Sequence, residues 1–329
     1  MDQIDLSLKI AVEKADELTY KDFKKKYLIP GKPVLLKGLA NMQPAGKKWT
    51  IDWFKETMGE LQIGVFDNNV KKHLYSTTVN PDMKMDFGDF LDLITKDEPS
   101  TIRMFRYNLY KQNPILRKDF SCPSFIKRFN PMRRFGFMFL GGKDTDVRLH
   151  YDVDYSNVLL TQFYGRKKVI LFPPEYSKFL YQVPYNTHSL VDIKNADFDT
   201  FPGLKHVKGY EIIQEAGDGV FMPSGHWHYN TYLSGGISVA FRKLAVSPKG
   251  LLKGIKFMTL TMPFDKMMNF FLGQNSASKF VIIVISSSFL FSFHDGTGIL
   301  SMNVNVITSP ELIFRPFGYL TTAVLEALI

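Results

Sequence analysis

Cysteine is almost absent from this sequence. Cys122 is the only one among 329 residues, so no disulfide can form within the chain. Disulfides are typical of oxidising compartments, and a chain that uses none suits the reducing interior of a cell. We therefore expect a cytoplasmic protein that is stabilised by an apolar core, for which this length is ample.

Long hydrophobic runs are also lacking. The uncharged run at residues 280–293 is shorter than the ~18–20 residues that a membrane-spanning helix needs. The first residues are charged and lack the apolar centre of a secretory signal. We expect neither a signal peptide nor a membrane anchor, and the sequence indicates no role for the apolar tail at residues 280–329.

Aromatic residues, by contrast, are plentiful. They make up 14% of a chain that is 45% hydrophobic, which suits a β-rich core with bulky side chains. Short apolar segments bounded by turn residues recur along the chain and predict a barrel or a sandwich. They include residues 61–66, 71–77, 135–140, 168–172, 219–222 and 236–243. Helical patterns, each with a threonine suited to cap it, occur at residues 16–28 and 49–58.

His150 and Asp152 carry the clearest chemical signal. They are two residues apart in a predicted strand, so their side chains would project from the same face. With a second histidine they would form the two-histidine, one-carboxylate set of non-haem Fe(II) oxygenases. His226 and His228 lie downstream, and either could complete that set.

Further motifs follow the pair in order: Gly165-Arg166-Lys167-Lys168, Leu171-Phe172-Pro173-Pro174, Gly217-Asp218, Pro223 and His228. Across residues 28–244 this series resembles the cupin-like JmjC family of Fe(II)- and 2-oxoglutarate-dependent hydroxylases. The resemblance implies a mainly β fold with flanking helices, built on a double-stranded β-helix of the cupin or jelly-roll type. It also implies a dioxygenase that hydroxylates a protein side chain, a tRNA base or a small molecule, with release of succinate and CO2.

The resemblance assigns roles to individual residues. Its register from Pro223 favours His228 over His226, so His150, Asp152 and His228 would be the metal ligands. Lys167 would bind the co-substrate 2-oxoglutarate. On an alternating strand only one of Lys167 and Lys168 points inward.

Asn157 and Thr145 are further candidates for contacts with 2-oxoglutarate, although Thr145 is off the family register. Arg242 is a possible additional anion partner, and the alternative is an exposed arginine. The remaining histidines are expected to lie on the surface or to form local hydrogen bonds. They are His73, His188, His206 and His294.

The chain divides into four predicted segments. Residues 1–58 would form a helical and strand region that packs on the barrel, and residues 59–245 would form the catalytic barrel. Residues 246–279 are rich in Met and Phe and would form helices. Such helices often dimerise in this family, so a homodimer is one hypothesis, and packing against the chain's own core is the other. Residues 280–329 are the apolar tail.

Two other functions remain open. The same ligands suit other divalent ions, so the chain could be a metal-binding cupin with a binding or isomerase role rather than an oxygenase. The net charge of +9, with runs such as Lys24-Lys25-Lys26, could instead indicate a nucleic-acid-binding module. Such runs usually form a solvated face. Residues 80–85 and 177–187 are the expected substrate-facing loops.

Overall fold

The computed structural model describes residues 3–70, 80–123, 136–183 and 186–272, which belong to one compact unit, Met1–Ala277. The tail and the strand predicted at residues 71–77 lie outside the described residues, as do His73 and His294. None of the helices in the described part of the chain has the length and apolar character needed to cross a membrane.

Two sheets form the centre of the molecule. Their strands are β1 (Asp5–Leu8), β2 (Ala11–Lys14), β3 (Val34–Lys37), β4 (Gln62–Asp67), β5 (Met83–Asp86), β6 (Ile102–Asn108), β7 (Phe137–Gly141), β8 (Asp146–His150), β9 (Asn157–Tyr164), β10 (Lys167–Phe172), β11 (Lys208–Gln214), β12 (Gly219–Met222), β13 (Trp227–Tyr232) and β14 (Gly236–Lys243).

Short helices surround the sheets. They are α1 (Tyr20–Phe23), α2 (Ala45–Lys48), α3 (Ile51–Met58), α4 (Phe87–Thr95), α5 (Leu109–Gln112), α6 (Pro248–Lys256) and α7 (Met262–Leu272). The capping threonines behave as predicted, since Thr19 accepts from the Asp22 amide at 3.2 Å and Thr50 from the Trp53 amide at 3.1 Å.

The smaller sheet has five strands in the order β1-β11-β10-β13-β8. The larger has nine, in the order β2-β3-β12-β9-β14-β7-β6-β4-β5. These large mixed sheets, together with the peripheral helices, confirm the predicted mainly β, jelly-roll fold class. The order places β8 beside β13 although some eighty residues separate them, and these strands carry the histidines of interest.

The N-terminal segment is more closely integrated than predicted. β1 pairs in parallel with β11, and β2 pairs in parallel with β3, so this segment adds an edge strand to each sheet. Neither strand was predicted from the sequence. Each is only four residues long and has no fully buried residue, so neither shows the apolar alternation by which strands are recognised.

The turn between β9 and β10 requires glycine. Gly165 adopts φ +69, and a Cβ there would lie 1.8 Å from the carbonyl oxygen of Gly235. Only glycine combines this left-handed backbone with so close an approach. The turn fixes where β10 begins, and therefore which side of the sheet Lys167 faces. At its other end β10 stops before Pro173, because proline cannot donate to the ladder.

Helix α6 contacts the barrel through glycines. Gly250 and Gly254 are its buried residues, and a Cβ on Gly254 would lie 2.3 Å from the carbonyl oxygen of Asp154. The helix can therefore lie directly on the loop that follows Asp152. Its larger apolar side chains remain outside, with Leu252 66% and Ile255 50% exposed.

Candidate metal and co-substrate site

Pairing of β8 with β13 brings two histidines together. His228 lies directly opposite His150 in the antiparallel register, and the centroids of the two rings are 4.2 Å apart. Asp152 follows two residues after the end of β8. One ligand atom from each of His150, Asp152 and His228 lies within 4.8 Å of the other two. Sheet register has thus collected two imidazoles and one carboxylate at a single point.

Both histidines have a fixed orientation. Nδ1 of His150 donates to the Arg148 carbonyl at 2.8 Å, and Nδ1 of His228 donates to the His226 carbonyl at 3.3 Å. Because a carbonyl can only accept, each Nδ1 carries the proton and each Nε2 keeps its lone pair. Burial lowers the pKa of both rings, and their proximity to each other lowers that of His150 further. Neutral imidazoles with a free Nε2 are the form that binds a metal.

His226 does not join this cluster. It precedes β13 in the turn at Gly225, and it is buried with no hydrogen-bond partner for Nδ1 among the described residues. Within the described ranges, the only group of His, Cys, Asp or Glu side chains close enough to hold a metal is that of His150, Asp152 and His228. Of the two histidines that the sequence left open, His228 is the one that lies beside His150 and Asp152.

Asp152 has a cationic partner. Nη2 of Arg242 donates to Asp152 Oδ1, and Nη1 lies 3.7 Å from Asp154 Oδ1. Burial alone would lower the pKa of Arg242, but the two carboxylates outweigh it and raise that pKa. The alternative of an exposed arginine is wrong, since this side chain is only 18% exposed. It lies inward because β14 pairs with β9, and Arg242 is opposite Val158, just after the loop carrying Asp152 ends.

A cavity of about 520 Å³ lies against these residues. Lys167 lines it and is 2% exposed. Its ammonium donates to Ser238 Oγ and lies 4.3 Å from the centroid of the Tyr232 ring. Lys168 faces outward instead, 3.7 Å from Glu211, so the two lysines alternate as predicted.

No carboxylate among the described residues pairs with Lys167. Burial lowers its pKa to about 7. An unpaired buried cation is costly, and a bound anion would remove that cost. His150, Asp152 and His228 therefore suit a divalent metal. Lys167 suits an anionic co-substrate.

The comparisons with known proteins agree with this geometry. Residues 20–242 match the family model for the cupin-like domain. The chain belongs to this family. Relatives include a JmjC domain-containing protein D of Dictyostelium discoideum (28% identical over 66% of this chain and 53% of that protein), a lysine-specific demethylase 8 of Danio rerio (28%, 67% and 55%) and a tRNA wybutosine-synthesizing protein 5 of Gallus gallus (26%, 67% and 72%).

These relatives confirm the predicted JmjC resemblance. The chain spans about half the length of the first two of them, 53% and 55% respectively. The names of the second and third relatives refer to different substrates, lysine and tRNA, so the shared cupin-like domain identifies the family and not the molecule acted upon.

Two residues that were predicted to contact 2-oxoglutarate lie outside the cavity. Asn157 donates to the Leu244 carbonyl at 3.3 Å and accepts from the Ser224 amide at 3.1 Å, so it ties β9 to neighbouring segments. Thr145 donates to the Ser100 carbonyl at 3.0 Å. Neither residue lines the cavity, and both side chains are bonded to backbone groups.

Three cavity residues were missed by sequence analysis. His188 was expected to be a surface or locally bonded histidine; it does bond locally, with Nδ1 2.7 Å from Asn186 Oδ1, but its ring also stacks on His150 at 5.2 Å. Asn230 projects from the same strand as His228, and its buried Oδ1 has no hydrogen-bond partner in the part of the chain that the structure describes. Arg103 comes from β6, which no motif marked. Of the three, only Asn230 carried a usable signal, its two-residue spacing from His228.

Proposed function

We propose that this chain is an Fe(II)- and 2-oxoglutarate-dependent dioxygenase that hydroxylates a protein side chain, a tRNA base or a small molecule. The observation that carries the proposal is the convergence of His150, Asp152 and His228 beside a cavity with an unpaired buried lysine. Two imidazoles and one carboxylate on one face of a metal are the ligand set of this oxygenase class.

Each residue has a distinct task in this proposal. The free Nε2 atoms of His150 and His228 and one oxygen of Asp152 would hold the ferrous ion. When bound, iron and 2-oxoglutarate supply the oxidising chemistry with dioxygen, and succinate and CO2 leave. Lys167 would bind the distal carboxylate of 2-oxoglutarate, and Arg242 would hold the Asp152 carboxylate in position. Tyr151 and Trp227, whose ring centroids are 4.8 Å apart, pack beside the loop and would limit entry of water.

The test is succinate formation by the pure full-length chain with Fe(II), ascorbate, dioxygen and 2-oxoglutarate. We expect slow succinate release by the native chain, none by His150→Ala, and native levels from His206→Ala, whose ring packs on Phe179 away from the cavity. Absence of succinate from the native chain, or equal amounts from all three, would count against the proposal.

A metal-binding cupin without oxygenase activity is the second candidate, because the same ligands accept other divalent ions. An anaerobic titration separates the two. A visible charge-transfer band that requires both Fe(II) and 2-oxoglutarate supports the dioxygenase. Metal binding without any such band supports the alternative.

A further inference from the structure

Arg103 lines the same cavity and has few partners. Its Nε donates to Asn68 Oδ1 at 2.8 Å, and its guanidinium lies 4.8 Å from the centroid of the Phe105 ring. Within the described ranges it forms no ion pair, and its two Nη groups donate to no acceptor. A guanidinium has five N–H donors, so four of them are left for a ligand.

The position of Arg103 is on the His188 side of the metal site. Burial and, to smaller extents, the charges of Arg148, Arg103 and His228 together lower the pKa of His188 to about 3, so both arginines are close to that ring. His188 in turn stacks on His150. Lys167 lines the same cavity, where it donates to Ser238 and lies over the Tyr232 ring. Arg103 and Lys167 are therefore two cationic side chains of one cavity, and each has its own hydrogen-bond partner.

Neighbouring acidic groups do not neutralise Arg103. Asp146 accepts from Tyr229 at 3.1 Å and from Asn68 at 3.2 Å, and it lies 3.9 Å from Lys194. Burial lowers the pKa of Arg103 itself, and the nearby Tyr232, Asp146 and Asp82 offset this only in part. A cation that is desolvated but not paired is arranged to receive an anion.

We propose that Arg103 binds a carboxylate of the primary substrate beside the metal. The inference rests on the proposed function, because it takes Lys167 to be occupied by 2-oxoglutarate. A single guanidinium whose two Nη groups have no acceptor among the described residues matches a carboxylate. A carboxylate accepts two parallel hydrogen bonds and carries one charge. A doubly charged phosphate would require a second unpaired cation at the same place.

The experiment uses the full-length chain loaded with Mn(II), which does not turn over, and 2-oxoglutarate. Fluorescein-labelled hexapeptides that differ only in a central Glu, Gln or phosphoserine are titrated by fluorescence anisotropy. A fluorinated benzoate, followed by fluorine NMR, represents a small organic acid. Arg103→Gln and Arg103→Lys are compared with Arg117→Gln, a matched control in which an exposed arginine lies 5.7 Å from the Tyr110 ring centroid.

We expect the native chain to bind the Glu peptide about tenfold more tightly than the Gln peptide, as for one charge-assisted hydrogen-bonded pair. Arg103→Gln should lose that preference, Arg103→Lys should keep part of it, and Arg117→Gln should keep all of it. Benzoate binding that depends on Arg103, without a peptide preference, also supports the proposal and identifies a small acid as the source.

The proposal is overturned if the affinity for the Glu peptide and the affinity for the fluorinated benzoate are both independent of Arg103. It is also overturned if the phosphoserine peptide binds more tightly than the Glu peptide. Calorimetric binding of Mn(II) and 2-oxoglutarate is measured in the same samples, and the peptide titration is repeated without them. If the native chain binds neither Mn(II) nor 2-oxoglutarate, the proposed function is refuted. Normal binding of both with no carboxylate preference would refute only the role of Arg103.

Discussion

At the residue scale, the least usual group in this molecule is the ammonium of Lys167. It is buried, bonded to a serine hydroxyl and an aromatic face, and paired with no described carboxylate. A protein keeps such a group only where it has a use, because a neutral side chain of similar size would be more stable there.

Replacing Lys167 by Met should weaken 2-oxoglutarate binding by about 10- to 100-fold, the effect of losing one buried charge-assisted hydrogen bond. The same change should leave the free energy of unfolding equal or higher, because it removes an unpaired charge. Calorimetry with 2-oxoglutarate and urea unfolding measure the two quantities. Lys168→Met is the control, since that side chain faces outward, and equal losses from both variants would contradict the account.

Lys167 also predicts a pH dependence. Its pKa is about 7 in the folded chain against 10.5 for an ordinary lysine. Between these values the unfolded chain binds the extra proton, so stability must increase with pH, by at most about 1.4 kcal/mol per pH unit. Without 2-oxoglutarate, urea unfolding between pH 7 and pH 9 should show this increase in the native chain relative to Lys167→Met. A difference that is constant or falls over this range would contradict it.

The residues that sequence identified and those it missed differ in one respect. His150, Asp152 and Lys167 belong to short local motifs, where spacing along one strand decides which side chains share a face. Arg103 and His188 reach the cavity from other segments. Their placement depends on strand order and on long-range pairing, which a local pattern does not encode.

At the element scale, the turns decide the register on which the site depends. A shift of one residue in β10 would turn Lys167 outward and Lys168 inward. The sequence indicated the β9–β10 turn through its glycine, and it located β10 within one residue. It did not indicate β1 and β2, because these four-residue edge strands have no fully buried side chain and lack an apolar pattern.

Gly165→Ala should therefore destabilise the chain by more than about 2 kcal/mol, through the left-handed backbone and the contact with Gly235 combined. Gly38→Ala is the matched control, because Gly38 has φ +74 but no atom lies within 4 Å of a Cβ built there. It should cost only about 1–2 kcal/mol, the backbone contribution. If urea unfolding shows the same loss in free energy of unfolding for Gly165→Ala and Gly38→Ala, the contact with Gly235 is unimportant.

At the scale of the whole molecule, the exposed apolar side chains of α6 bear on the predicted homodimer. We propose that this face pairs with a second copy of the chain, because glycines rather than leucines attach the helix to the barrel. Leu252→Glu with Ile255→Glu should then give a monomer by light scattering at micromolar concentration. Ile29→Glu, at a site 64% exposed elsewhere on the surface, should not. A native chain that is already monomeric would refute the pairing.

The central claim, that sheet register gathers His150, Asp152 and His228 as one ligand set, is tested most directly by anaerobic Fe(II) titration of two variants. His228→Ala should lose at least about tenfold in Fe(II) affinity, whereas His226→Ala should bind as the native chain does. Equal affinities in the native chain and His228→Ala, or a greater loss in His226→Ala, would contradict the account.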